Sequence, residues 1–429
     1  MISGDISPHE FSRFRELGSF VQAVVPSTCV CEVEMIHPTT WHYLARLASG
    51  RPLFPSLREL HWTIQEPSRT ELLILAAPSL RRLTVCYSAC SGDSQEWVLT
   101  QGMLFRTIFD IAPRLTHLIL RDIEDVLLPA CLSHARPLRG LRIESATCEV
   151  SVNLDTLRIL SAMQSLQELS FDFHELDDTV DFSGFPALRK LEIGVMSGLP
   201  RPIFDAFSSP NLHELLIDSQ IDPFGVDEAT ATATKLAQNF PSVEDLKWSL
   251  QLTREMPMDA VLAPLFPLRM VKLSFDIHGV LVETLSDDLF AALAKSWPRL
   301  IELSITIPYH PHTHDDDEPL SRTTAYTLLA FARSCPDLQR LRLPSVRGPE
   351  REEIGKYPVL QHGLRTLVLD RPGALGEAAC VSCALLLDKF FPNLETTVLP
   401  PGYGPVSDDW SRILSGVQLC QLGRSNRAV

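Results

Sequence analysis

Apolar residues return along this chain in one short frame, Leu-x-x-Leu-x-apolar, usually with Pro two residues ahead. The frame opens at Pro55-Ser-Leu57-Arg-Glu-Leu60-His-Trp62. It repeats at Pro78-Ser-Leu80-Arg-Arg-Leu83-Thr-Val85 and at Pro113-Arg-Leu115-Thr-His-Leu118-Ile-Leu120. Further copies begin at Leu138, Leu166, Leu188, Leu212, Val243, Leu268, Leu300, Leu338 and Leu364. The copy at Leu268 is read as Leu268/Val271/Leu273, and a last, degraded one starts at Leu394, with Thr397 where a leucine is expected. That makes thirteen copies, with 22 to 38 residues between successive first positions. A single Leu-x-x-Leu arises by chance. A regular series with the same preceding Pro does not.

The end of the frame alternates with the period of a half-buried strand. Leu60 and Trp62 are expected to point inward, and Glu59 and His61 outward, while Leu57 closes the turn into the strand. Ahead of many copies, apolar positions recur at three and four residues, the spacing of a helix with one buried face. Met103–Phe109, Leu289–Lys295, Leu328–Arg333 and Leu385–Phe391 are examples. The following Pro ends the helix, because it lacks an N–H and disfavours α geometry in the residue before it.

Strand, loop, helix and Pro-marked turn form a unit that cannot bury its own faces, whereas a stack of such units can. The expected fold is an α/β leucine-rich-repeat solenoid. This is a curved horseshoe with a parallel β-sheet on the concave face and helices on the convex face. Residues 1–50 are read as an N-terminal cap and linker, 51–400 as the solenoid, and 401–429 as a C-terminal cap and loose tail. Asp408-Asp-Trp-Ser-Arg-Ile-Leu414 is the candidate capping helix.

Composition agrees with this picture. A chain of 429 residues is long for one compact core, which suits an array. With 45% hydrophobic residues and a mean hydropathy of +0.07, there is material for an ordered interior. The net charge of −15 gives no electrostatic reason to hold nucleic acid or an anionic membrane. The N-terminal residues lack the pattern of a signal peptide, and no apolar run is long enough to span a membrane. Ten scattered Cys read as reduced, buried thiols, which points to the cytoplasm or nucleus.

The Pro-x-Leu-x-x-Leu-x-apolar copies resemble the repeat half of F-box proteins, above all the large fungal (basidiomycete-type) set. There a segment like Arg51-Pro52-Leu53-Phe54-Pro55-Ser-Leu57-Arg-Glu-Leu60-His61-Trp62 opens the repeats. Phe11 to Phe14 and Phe20 to Val24 are also similar to what joins the F-box to the repeats in that set. The resemblance spans roughly residues 11–400. It implies capture of a protein substrate by the repeats while the F-box docks on the adaptor of a Skp–cullin–F-box ubiquitin ligase. Residues 1–19 are too short to hold that box. Only the capture role therefore has residues here, and an adaptor is a partner only if an F-box lies upstream. A free-standing repeat scaffold without a ligase role is the alternative.

Catalytic chemistry is not expected, and neither is a cofactor or a metal. His9-Glu10, His174-Glu175 and His213-Glu214 do not complete HExxH, since Arg13, Asp178 and Ile217 stand four residues after the His. Cys380-Val-Ser-Cys383 is a lone CxxC, read as two thiols on one helix face. His310-Pro-His312-Thr-His314 beside Asp315 to Glu318 is read as a solvated loop, with a divalent metal as its sharper alternative. The expected contact surface is instead the outward side of the strands. It comprises Glu168, Asp172, Glu192, Glu214, Asp218, Asp245, Lys247, Lys272, Glu302, Arg340 and Arg342, with Ser170, Lys190 and Met270 among them. In the central copies acids outnumber bases seven to three, which suggests a partner with a basic segment.

Overall fold

A computed structural model describes residues 6–25, 38–64, 71–87, 95–135, 137–145, 152–173, 180–195, 201–252, 257–279, 285–307, 321–349, 352–370, 377–396 and 408–426. The chain divides into two compact units. Met1–Met196 with Pro202–Leu212 forms the first, and Ser197–Arg201 with His213–Val429 forms the second.

The first unit runs α1 (Pro8–Gly18), β1 (Ala23–Val24), α2 (Pro38–Ala48), β2 (Glu59–Ile64), α3 (Glu71–Leu75), β3 (Arg82–Tyr87) and α4 (Gln95–Ile111). It continues with β4 (His117–Arg121), α5 (Leu128–Leu132), β5 (Gly140–Glu144), α6 (Leu154–Ser161), β6 (Glu168–Phe173) and β7 (Lys190–Val195). Its strands pair in sequence order, every pair parallel.

The second unit begins with β8 (Glu214–Phe224), α7 (Val226–Asn239), β9 (Asp245–Leu252), α8 (Met258–Leu262), β10 (Lys272–Gly279), β11 (Leu285–Ser286) and α9 (Asp287–Ser296). It ends with β12 (Glu302–Thr306), β13 (Ser321–Arg322), α10 (Ala325–Ser334), β14 (Arg340–Leu343), β15 (Thr366–Leu369), α11 (Glu377–Phe390) and α12 (Asp408–Ser425). Here β8, β9, β10, β12, β14 and β15 pair in that order, all parallel, while β11 and β13 pair apart from them. Parallel strands joined by helix-bearing crossovers, one leucine frame per strand, make this an α/β leucine-rich-repeat solenoid fold. Among the described residues no helix is long and apolar enough to cross a membrane.

The Pro of the frame has a definite job. In Phe54-Pro55-Ser-Leu57, Ala77-Pro78-Ser-Leu80, Ala112-Pro113-Arg-Leu115, Trp297-Pro298-Arg-Leu300 and Cys335-Pro336-Asp-Leu338, the leucine N–H donates to the carbonyl three residues back, at 3.0–3.1 Å. Pro thus occupies the second position of a four-residue turn, where its fixed φ suits the geometry. The residue before it is pushed out of the helical region. Phe240, Trp297 and Cys335 end α7, α9 and α10 with nearly the same dihedrals, φ −126 to −119° and ψ 60 to 74°. The serine within the turn adds a tie to the preceding repeat. Ser79 Oγ donates to Leu57 O at 2.7 Å, and Ser165 Oγ to Leu138 O at 2.8 Å.

Beyond each turn the chain joins a continuous rung. Arg81 and Arg82 both donate their N–H to Arg58 O; Thr116 and His117 do the same to Arg81 O, and Arg139 and Gly140 to Thr116 O. The frame leucines then face the helices and are sealed: Leu60, Leu83, Leu118, Leu141, Leu169, Leu191, Leu215, Leu246, Leu303 and Leu341 are at most 2% exposed. Each such side chain contributes about 1.5–3 kcal/mol by leaving water. Helical stretches read from the sequence are present, with Leu104, Phe105, Ile108, Phe290, Leu293, Leu328 and Phe390 buried. Met103 of α4 and Leu385 of α11 are exposed.

Four details differ from the sequence reading. Residues 421–425, read as part of the loose tail, continue α12, and Gln421 Nε2 donates to Leu394 O at 2.8 Å. Leu268 does close a turn, on Leu265 O at 3.0 Å, but two further residues precede the strand. Leu273 pairs with Leu246 and Phe275 with Trp248. Met270, expected outward, therefore takes the first-leucine position and is fully buried. Trp62 is half-buried and meets Trp41 of α2 edge-on at 5.9 Å. The rungs also reach further than the leucine frame: β1 pairs with β2 through Ala23 and Val24, and at the other end Glu395 N–H donates to Arg365 O at 2.7 Å.

Candidate interaction face

Opposite the helices, alternate strand residues form rows set by the register. In the first unit one row runs Glu59, Arg82, His117, Gly140, Glu168, Lys190. The next runs His61, Thr84, Ile119, Arg142, Ser170, Glu192. These two rows line a cavity of about 280 Å³. Gly140 and His117 both belong to its lining, and a Cβ on Gly140 would lie 2.6 Å from His117 Cδ2, so the imidazole packs over the glycine. His117 Nδ1 lies 2.9 Å from Thr116 Oγ1. Burial, then the nearby Arg82 charge, hold the His117 pKa below its usual value. Glu144 receives Arg121 Nε at 2.6 Å and also pairs with Arg142. Arg142 Nη2 lies 3.9 Å from Glu192.

In the second unit the corresponding rows are Glu214, Asp245, Lys272, Glu302, Arg340, Thr366 and Leu216, Lys247, Ser274, Ser304, Arg342, Val368. Charges here meet from strand to strand. Lys272 Nζ lies 3.4 Å from Asp245 Oδ2, Arg340 Nη1 lies 3.3 Å from Glu302 Oε2, and Arg342 Nε lies 2.8 Å from Asp370 Oδ1. Thr306 donates to Asp276 one row further on.

All eleven anticipated contact residues thus lie on strands at outward positions, exposed or half-buried. Glu168, Asp172 and Glu192 belong to the first unit, and Glu214, Asp218, Asp245, Lys247, Lys272, Glu302, Arg340 and Arg342 to the second. Three acids of the expected acidic stripe, Glu192, Asp245 and Glu302, lie within ion-pair distance of a cation on another strand. Asp370 and Arg142, which the sequence reading did not single out, take part in the same pairing.

Cys380 and Cys383 lie one turn apart on α11, and burial raises both thiol pKa values, that of Cys383 to about 11. Burial likewise pushes Cys131 and Cys335 up to about 12, which makes them poor nucleophiles at neutral pH. The His310–Glu318 run and Cys29/Cys31 lie outside the described residues. Among the described residues no three His, Cys, Asp or Glu side chains gather as metal ligands.

No protein-family model matches the chain, and no curated protein matches it in sequence. Solved structures do match. One is yeast Rad7, from the crystal structure of its complex with Elc1. It is 15% identical, with a TM-score of 0.41, over 92% of this chain and 90% of that one. Another is a Bacteroides fragilis protein, 14% identical, with a TM-score of 0.27, over 68% of this chain and 65% of that one.

Proposed function

We propose that this chain is a protein-binding repeat domain that works by recognition and not by catalysis, with the open side of its strands as the contact surface. The observation that carries this reading is the row structure. Polar side chains of successive strands stand in register about 4.8 Å apart on a scaffold whose other face is sealed by leucine. Such rows present a broad, graded surface, suited to another polypeptide more than to a small molecule. The resemblance of the leucine frame to the fungal F-box set supports a finer version. In it the chain is the substrate-recognition part of an F-box-type ubiquitin ligase subunit, active in the cytoplasm or nucleus. A free-standing interaction scaffold is the competing version.

A photo-crosslinking residue placed at Ser170 or Ser274, on the open side, should capture a protein partner in cells. The same residue at Met103, exposed on α4, should not. Capture from Met103 alone would overturn the assignment of the face. Co-purification of a Skp-type adaptor with the natural full-length product separates the two versions.

A further inference from the structure

The residues whose carbonyls accept the paired N–H groups form a row of their own. In the first unit it runs Gln22, Arg58, Arg81, Thr116, Arg139, Gln167, Arg189, each bonded through the backbone to the next. Four of its seven members are arginines and none is acidic. All four guanidinium-bearing side chains are exposed, and none forms an ion pair with a described residue. The equivalent row of the second unit runs His213, Glu244, Val271, Ile301, Gln339, Arg365, Glu395 and has no such bias.

We propose that Arg58, Arg81, Arg139 and Arg189 form a docking row for an acidic, extended peptide segment of the partner protein. This inference rests on the protein-binding reading above. Charge complementarity selects the occupant. Five strand spacings separate Arg58 from Arg189, about 24 Å, which an extended peptide of about seven residues covers. Same-side residues of such a peptide repeat every ~7 Å, within reach of long side chains standing on rungs one or two apart. Arginine presents a planar fork that grips a carboxylate with two hydrogen bonds, which a lysine cannot do. A continuous polyanion suits the row poorly. In the adjacent row Glu59 and Glu168 are interspersed with Arg82 and Lys190, a mixed pattern that a peptide can match residue by residue and an unbroken line of phosphates cannot.

The test is fluorescence anisotropy on the whole chain with three labelled probes: a Glu-Ser alternating peptide of about ten residues, its Gln-Ser counterpart, and a single-stranded oligonucleotide of similar length. The Glu peptide should bind best and weaken as salt rises. R58E/R81E/R139E/R189E should weaken it by about tenfold or more, on the scale of exposed ion pairs summed over four sites. The milder Arg→Gln set, checked by circular dichroism, covers the chance that reversal disturbs folding. K295E/R333E, at exposed positions on α9 and α10 away from the strands, should leave binding unchanged. Equal binding of Glu and Gln peptides, tighter binding of the oligonucleotide, or equal loss in K295E/R333E would overturn the proposal. Crosslinking from Ser170 or Ser274 without Glu-peptide binding would sink this inference alone and leave the protein-binding reading standing.

Discussion

The two units present the same leucine frame, and both pair charges across strands (Arg121 with Glu144 and Arg142 with Glu192 in the first), but the first adds a row of four arginines that form no ion pair with a described residue. In the second, Asp245 meets Lys272, Glu302 meets Arg340 and Asp370 meets Arg342, so acids that look available in the sequence are satisfied by the next strand. In the first, Arg58, Arg81, Arg139 and Arg189 stand on successive or alternate rungs and form no ion pair with a described residue. The number of charges on a face is therefore a poor guide to what the face can bind. Register decides, because it determines which charges cancel before a partner arrives. A surface ion pair stabilises the fold by only about 0–1 kcal/mol, yet it removes both charges from the field a ligand meets.

The comparison assumes that the scaffolds are equivalent and only the faces differ, and this is open to the largest test. Leu118 and Leu303 take the same register position in the two units and are each 1% exposed. Leu118→Ala and Leu303→Ala should each cost about 2–5 kcal/mol, read from urea unfolding. Hydrogen exchange should show the loss concentrated on the strands of the mutated unit, since each repeat packs on its neighbours. Equal loss of protection in both units would break the division on which the comparison stands.

A smaller effect probes the Gly140 cavity. Gly140→Ala puts a methyl group against the His117 ring, which must swing away. The gain from a stiffer unfolded chain and the cost of moving the ring oppose each other, so the net change should stay within about 1 kcal/mol. H117A should relieve the crowding, and the double variant should be more stable than the two single changes added together. Strict additivity would mean that the ring and the glycine do not share one space.

Much of this was legible in the leucine frame. Pro and the first leucine mark the turn, the alternation marks the strand, and the three-four spacing marks the buried helix face, because each is a local signal. What was not legible depends on partners far along the chain. Nothing near Leu268 announces the two extra residues that bury Met270 and shift the frame to Leu273 and Phe275. Asp245 and Lys272 are paired only because β9 and β10 align. Strand β1 is two residues long and exists by pairing with β2. The arginine row was visible as Leu-Arg at residues 57–58, 80–81, 138–139 and 188–189. Only the rungs show that these arginines line up.

The pairing in the second unit can itself be measured. D245A, K272A and their double variant should give a coupling of roughly 0.5 kcal/mol, falling with salt, because Lys272 is about half exposed. Zero coupling would return Asp245 and Lys272 to the pool of free charges and weaken the contrast between the faces.

The smallest expected signal is a titration in the first unit. Burial and the cations Arg82 and Arg139 disfavour the charged form of His117, so its pKa in the fold lies below the ordinary 6.5. The unfolded chain then binds more protons than the folded one between those two values. Stability contributed by the neutral ring is accordingly present above pH 6.5 and is lost as pH falls through that window. NMR titration of the ring should place its midpoint below 6.5, and Arg82→Gln should move it upward. An unmoved midpoint in Arg82→Gln would show that this charge does not reach the ring. Arg139→Gln puts the same question to the docking row, and no upward shift there would make that row and the Gly140 cavity two separate features instead of one surface.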